Sequence, residues 1–228
     1  MRRVRRVLKI GHRGAAGHAP ENTLAAIRKG IDLGVDFVEI DVRCTADGVL
    51  VALHDASVSR TTNGKGHISR LSFREAKALD AGNGESIPTL EEVLHVAAGK
   101  TGLMLELKVD GVAQKTAEAV QHAGFKEPVL YASFLHEEVA TIQRIDPDAS
   151  VMALFGRLTR APVVRAMQYS PSHVGLRHDT VTSRLVEAFH DEGMLVWVYT
   201  ADSIRDIQRA LSAGVDGIIS NVPERVPS

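Results

Sequence analysis

The sequence predicts an α/β fold, a (β/α)8 barrel of the TIM type. Three observations carry the prediction. Short apolar runs alternate with longer amphipathic segments along the chain. The apolar runs number eight. Several of the amphipathic segments stop at a glycine just before the next apolar run. Alternating strand and helix calls for parallel strands joined by crossover helices. Eight such units in 228 residues fit a small closed barrel. A doubly wound open sheet usually has fewer strands. Its first loop would carry GxGxxG, and the GHRGAAG found here does not match.

The strand candidates run in order: VLKI near Leu8, FVEIDV from Phe37 to Val42, GLMLELKV from Gly102 to Val109, and PVLYASF from Pro128 to Phe134. SVMALF from Ser150 to Phe155, HVGLR from His173 to Arg177, MLVWVYT from Met194 to Thr200 and GIIS from Gly217 to Ser220 complete the set. Helical patterns end at Gly34, Gly124, Gly193 and Gly214, where glycine is the expected C-terminal stop. Asn22 or Thr23 is the expected N-cap of the first helix. One stretch breaks the alternation. Between Val42 and Gly102, the turn signal TADG precedes VLVALHD, which reads as a hairpin beyond the second strand. The polar RTTNGKGHI and the helical patterns SFREAKALD and TLEEVLHVAAG follow. We read residues 1–228 as a single barrel domain with an insertion at about 55–88.

Composition narrows the function classes. A net charge of -1 gives no global attraction to nucleic acid or to an anionic membrane. No apolar run reaches membrane-span length, and nothing in the chain speaks to oligomeric state. The basic start MRRVRRVLKI lacks an apolar h-region, because Gly11 and His12 interrupt it. Its first arginines are expected at a solvated strand edge. The single cysteine, Cys44, rules out an intrachain disulfide and suits a reducing compartment. A cytoplasmic location is the default expectation.

Side chains on a strand alternate faces. Glu39 and Asp41 therefore share one face of the second strand. Glu106 and Lys108 share a face with Met104 on the third. Barrel strands are buried on both sides and should be almost wholly apolar. The charges fit either an amphipathic strand with structural ion pairs or a functional site at the barrel mouth. Glu39, Asp41 and Glu106 form a hard oxygen set suited to Mg2+ or Ca2+. Zinc would normally recruit histidine or cysteine more heavily. Most of the ten histidines fall in or beside helical patterns, as surface or satisfied groups. His12 and His54 instead follow apolar runs directly, at the C-terminal strand ends where such barrels gather their active sites. They are two candidate proton carriers beside a candidate metal.

The pieces GHRG (11–14), PENT (20–23), VEIDVRCTADG (38–48) and LHD (53–55) come in close succession. IPTLEEVL (87–94), LELK (105–108) and GVDGIISNVP (214–223) follow. This order resembles the glycerophosphodiester phosphodiesterase family over nearly the whole chain. The resemblance implies a (β/α)8 barrel with a small insertion after the second strand. It also implies a divalent metal, Mg2+ or Ca2+, held by Glu39, Asp41 and Glu106. His12 and His54 match the two catalytic histidines, and Arg13 and Lys108 match residues facing the substrate phosphate. Trp197, with Phe134, is expected to line the substrate site. Two positions depart from the family pattern: Tyr199 stands where asparagine is frequent, and Asn221 where aspartate is. The implied activity is metal-dependent hydrolysis of a small-molecule glycerophosphodiester. One alternative is a lysophospholipase D, which calls for an apolar lip that the polar insertion does not supply. A non-catalytic barrel binding module is the other. That module should lack at least one of His12, Glu39, Asp41, His54 and Glu106, and all five are present.

Overall fold

The structure is a computed structural model and describes residues 6–156 and 162–227. The arginines before Arg6 lie outside the described residues. Arg6 itself pairs with Asp36 at 2.9 Å.

Among the described residues, nine strands form one sheet. They are β1 (Leu8–Gly11), β2 (Phe37–Cys44), β3 (Leu50–Ala52), β4 (Gly102–Leu107), β5 (Val129–Ser133), β6 (Ser150–Phe155), β7 (His173–Arg177), β8 (Leu195–Tyr199) and β9 (Gly217–Ser220). Their order is β1-β9-β8-β7-β6-β5-β4-β2-β3, and a further β1–β2 pairing closes the ring. All eight barrel strands pair in parallel, while β3 runs antiparallel to β2. The eight predicted runs are the eight barrel strands, and the predicted hairpin is β2–β3.

Helices α1 (Leu24–Asp32), α4 (Ala113–His122), α7 (Ser183–Asp191) and α8 (Ile204–Ala213) occupy the predicted patterns, and Gly34, Gly124, Gly193 and Gly214 all follow with positive φ. At Gly214 this left-handed geometry (φ 83°) lets the amide reach back to the last carbonyls of α8. The other helices are α2 (Phe73–Lys77), α3 (Leu90–Ala97), α5 (His136–Ile145) and α6 (Pro162–Met167). Ser72 and Thr89 start α2 and α3 with reciprocal capping boxes through Glu75 and Glu92. Thr23, not Asn22, caps α1, its hydroxyl accepting from Ala26 N.

The strand alternation separates two kinds of core. Outward residues of β2 and β4 (Val38, Ile40, Leu103, Leu105) pack under the helices. Inward residues fill the barrel: Ile10, Met104, Leu130, Ala132, Met152, Leu154, Trp197 and Ile219. Trp197 needs room from the strand beside it. A Cβ on Gly217 would stand 2.8 Å from the indole, so large and small inward residues complement each other. Residues of β3 and its end join insertion residues in a satellite cluster of Val51, Leu53, Val58, Ile68, Ala76, Ala81 and Ile87. That cluster holds the segment after His54 in a fixed shape at the end of β3.

Candidate active site

The loop after β1 brings its backbone onto β2. Arg13 N–H donates to Glu39 Oε2 at 2.7 Å, and Gly14 N–H donates to the Glu39 carbonyl at 3.0 Å. This tight descent requires left-handed backbone at Arg13 (φ 50°) and Gly14 (φ 91°). A non-glycine residue held there stores strain, a feature common at functional sites. A Cβ on Gly14 would run into the backbone of Ala26.

On β2 and β4 the register sets Asp41 opposite Glu106, with Glu39 one layer deeper opposite Met104. One carboxylate oxygen from each of Glu39, Asp41 and Glu106 lies within 4.8 Å of the others. Glu39 and Asp41 are almost fully buried. Burial first, then repulsion from Asp41 and Glu106, pushes the Glu39 carboxyl well above its ordinary range. Burial and Asp41 also raise Glu106. Lys108 Nζ sits 2.5 Å from Glu106 Oε1 and 3.3 Å from Asp41 Oδ1. Burial opposes its charge, but Glu106 and Asp41 outweigh that and raise it. Arg13 lies with Nε 3.4 Å from Asp41 Oδ2, while Nη1 donates to Glu21 at 2.7 Å.

Three carboxylates thus face two fixed cations. Glu39 Oε1 and Asp41 Oδ1 are buried and accept no hydrogen bond; the Lys108 ammonium stands 3.3 Å from Asp41 Oδ1. Uncovered buried anionic oxygens are costly. A hard, oxygen-seeking dication would relieve that cost, so the donor set fits Mg2+ or Ca2+.

His12 Nε2 lies 4.0 Å from Glu39 Oε2. Burial, followed by the charge of Arg13, pushes His12 down to about 4. Its Nδ1 meets Asn221 Oδ1 at 2.7 Å. His54 Nδ1 meets Asp55 Oδ1 at 2.6 Å. Adjacent residues on a strand should diverge, but β3 ends at Ala52 and the chain has left extended geometry by this point. Asp55 Oδ2 accepts from Arg60 Nε at 2.6 Å, and Arg60 also forks onto Glu21 at 2.7 and 2.8 Å. An alternating charge chain therefore runs Asp41, Arg13, Glu21, Arg60, Asp55 from the first loop to the insertion, and His54 hydrogen-bonds to its last member.

A cavity of about 30 Å³ sits beside the carboxylates, lined by His12, Glu39, Glu106, Phe134, Tyr199 and apolar barrel residues. Phe134 and Tyr199 meet edge to face at 5.8 Å. Lys108 Nζ stands 5.9 Å from the Phe134 ring. Trp197 is not part of this wall. It is 1% exposed and packed against Phe37 and His173, one inward position below Tyr199. The aromatic facing the cavity from β8 is Tyr199, whose hydroxyl donates to the Phe155 carbonyl.

Sequence reading alone missed Asn22. Its φ is 57°, its Nδ2 donates to Asp41 Oδ2 at 2.8 Å and its Oδ1 accepts from Asp41 N at 3.1 Å. Asparagine tolerates left-handed backbone, and its place in PENT was the available signal. His18 pairs with Glu224 at 3.0 Å. His136 is buried as a satisfied group on the Leu154 carbonyl. Cys44 is a free cysteine, half-buried.

The sequence profile of the Glycerophosphoryl diester phosphodiesterase family matches residues 12–225. The chain is 34% identical over 232 residues to a glycerophosphodiester phosphodiesterase of Caldanaerobacter subterraneus, covering 96% of each chain. It superimposes with a TM-score of 0.84 on a glycerophosphodiester phosphodiesterase of Agrobacterium tumefaciens, at 31% identity, covering 96% of this chain and 99% of that one. It also resembles an Oleispira antarctica phosphodiesterase solved with its product sn-glycerol-3-phosphate, at 29% identity and a TM-score of 0.88, over 98% and 95% of the two chains. By fold, motif and extent of match, this chain belongs to the glycerophosphoryl diester phosphodiesterase family.

Proposed function

We propose that this chain, as one barrel domain with its insertion, hydrolyses glycerophosphodiesters to glycerol 3-phosphate and an alcohol such as choline or ethanolamine. The observation that carries this reading is the convergence of three carboxylates, two with uncovered buried oxygens, beside His12. The product bound to the Oleispira antarctica relative supports the substrate class.

Glu39, Asp41 and Glu106 would hold the metal. When bound, a divalent ion draws charge from a phosphoryl oxygen and stabilises the charge that builds there. Arg13 and Lys108 supply further positive charge for the phosphate. His12 Nε2 takes the proton of the glycerol 2-hydroxyl as that oxygen bonds to phosphorus. His54 protonates the alcohol oxygen as its bond to phosphorus breaks, giving a cyclic phosphate and free alcohol. The roles then reverse. His54 takes a proton from water as water attacks, and His12 returns its proton to the departing 2-oxygen. The two histidines suit opposite roles, because His12 sits against a neutral carboxamide and His54 against a carboxylate.

Release of glycerol 3-phosphate from glycerophosphocholine by His12→Ala and His54→Ala tests the pair. Each loss is expected at about 100-fold or more, and near-full activity in either variant removes that histidine. EDTA treatment followed by Mg2+, Mn2+ or Ca2+ tests the carboxylates. Undiminished turnover by the stripped enzyme refutes a metal.

One observation favours a second reading, lysophospholipase D. Phe134 and Leu135, at the end of β5, are 43% and 37% exposed and offer the apolar surface that the insertion lacks. Faster turnover of lysophosphatidylcholine than of glycerophosphocholine would decide for it. Among the described residues, no helix is long and apolar enough to cross a membrane. A cytoplasmic location, part of this proposal on the strength of the free Cys44, is checked by cell fractionation.

A further inference from the structure

An imidazole can act as a base at Nε2 only if its neutral form carries the proton on Nδ1. In His12 the choice is made by groups at the far end of the chain. His12 Nδ1 lies 2.7 Å from Asn221 Oδ1. A carboxamide has two ends of similar shape, so this contact alone does not say which end faces the ring. Asp202 makes the distinction. Its Oδ2 accepts from Asn221 Nδ2 at 2.7 Å, and its Oδ1 accepts from Asn221 N at 2.8 Å and from Ser220 Oγ at 3.0 Å. A carboxylate accepts and cannot donate, so the NH2 end of Asn221 must face Asp202. The carbonyl end must then face His12, and a carbonyl needs a donor. His12 Nδ1 is that donor. The only lone pair left on the neutral ring is at Nε2, which points toward Glu39.

The surrounding backbone keeps both partners in register. His12 N–H donates to the Ser220 carbonyl at 2.9 Å, and Gly17 N–H donates to the Asn221 carbonyl at 2.9 Å. A flipped Asn221 would turn its oxygen to a carboxylate and its NH2 to the ring, losing the bond to Asp202.

We propose that Asp202 is a positioning residue that works through Asn221 to hold His12 in its Nδ1–H tautomer. Asp202 has no contact with the carboxylate trio among the bonds described, and its effect on turnover passes through the ring of His12. The inference rests on the proposed role of His12 as proton acceptor, yet its direct readout is independent of turnover.

The test is Asp202→Asn in the full chain with Mg2+ present. Long-range 15N–1H correlation of the histidine rings reports which nitrogen carries the proton, with the His12 signals assigned by their loss in His12→Ala. Wild type is expected as the Nδ1–H form. In Asp202→Asn the amide of Asn221 is free to flip, and the Nε2–H form should rise to a large fraction. Turnover of glycerophosphocholine should fall tenfold or more in kcat with KM changed less than twofold. A wild-type ring in the Nε2–H form overturns the proposal. So does an Asp202→Asn protein that melts lower but keeps the Nδ1–H form, because Asp202 would then only staple the loop. If Asp202→Asn does not fold, Asn221→Ala carries the test. It removes the acceptor and should lose the preference for Nδ1–H, and an unchanged tautomer overturns the idea. A tautomer shift in an enzyme whose His12→Ala variant stays active would support the positioning and discard the catalytic role of His12.

Discussion

Arg60→Ala cuts the charge chain between the first loop and the insertion. The guanidinium makes two forks, onto Glu21 at 2.7 and 2.8 Å and onto Asp55 at 2.6 and 3.3 Å. The Arg60 side chain is 47% exposed, so solvent screens both pairs. Exposed ion pairs contribute about 0.2–1 kcal/mol each, and bidentate geometry puts these near the top, for a total of about 2 kcal/mol. For a domain of this size each kcal/mol moves Tm by about 2–4 °C, so the variant should melt about 4–8 °C lower at neutral pH. Arg60 and Arg13, working against burial, hold Glu21 down at about 2, against an ordinary 4.5. A depressed carboxylate stabilises fully above its unfolded value and loses that contribution as pH falls through its folded value. The Tm difference between wild type and Arg60→Ala should therefore be constant above pH 4.5 and shrink from 4.5 toward 2. Added salt should shrink it too. Because Asp55 loses its second partner, kcat should fall by up to about tenfold with KM little changed. Melts from pH 3 to 7 with steady-state kinetics give both readouts. An equal Tm at pH 7, or a difference that persists unchanged to pH 3, refutes the reasoning.

Three further outcomes follow from the site. Glu39→Gln should lower kcat/KM by at least about 100-fold, since a metal ligand serves a several-kcal/mol effect. It should also abolish the Tm rise expected when Mg2+ is returned to stripped wild type, and an unaltered Mg2+ response counts against the site. Trp197→Phe should cost about 1–2 kcal/mol of stability from core packing and leave KM within about twofold, whereas a large KM increase would place Trp197 at the substrate. Tyr199→Asn should widen the cavity beside Phe134 and raise turnover of glycerophosphocholine relative to glycerophosphoethanolamine by about tenfold; an unchanged ratio assigns headgroup selection elsewhere.

The strands were legible because their inward and outward residues differ in kind. Glu39 and Asp41 could be placed on one face from spacing alone, and the parallel register then set Asp41 opposite Glu106. Depth was not legible. Trp197 and Tyr199 share the inward face of β8, and period two cannot tell the filled interior from the mouth. The tilt and stagger of the closed barrel decide that. The His54–Asp55 contact was not legible either, because it depends on where the chain leaves strand geometry, and β3 ends at Ala52. Asn22 stood beside Thr23 as a possible cap, because a cap and a left-handed turn draw on the same residue types. Asn221 beside His12 and Glu21 beside Arg60 come from distant segments, where local patterns carry no signal.

β1 is hydrogen-bonded to β9, and His12 meets Asn221 across 209 positions of chain. The residue after the first barrel strand thus takes its partner from the loop after the last. The carboxylates come from the neighbouring strands β2 and β4, whereas the Nδ1 partner of His12 lies just after β9. On the proposed role of His12, turnover therefore doubles as a report on ring closure. In refolding, recovery of turnover should lag behind recovery of helical signal by the time the final strand takes to dock.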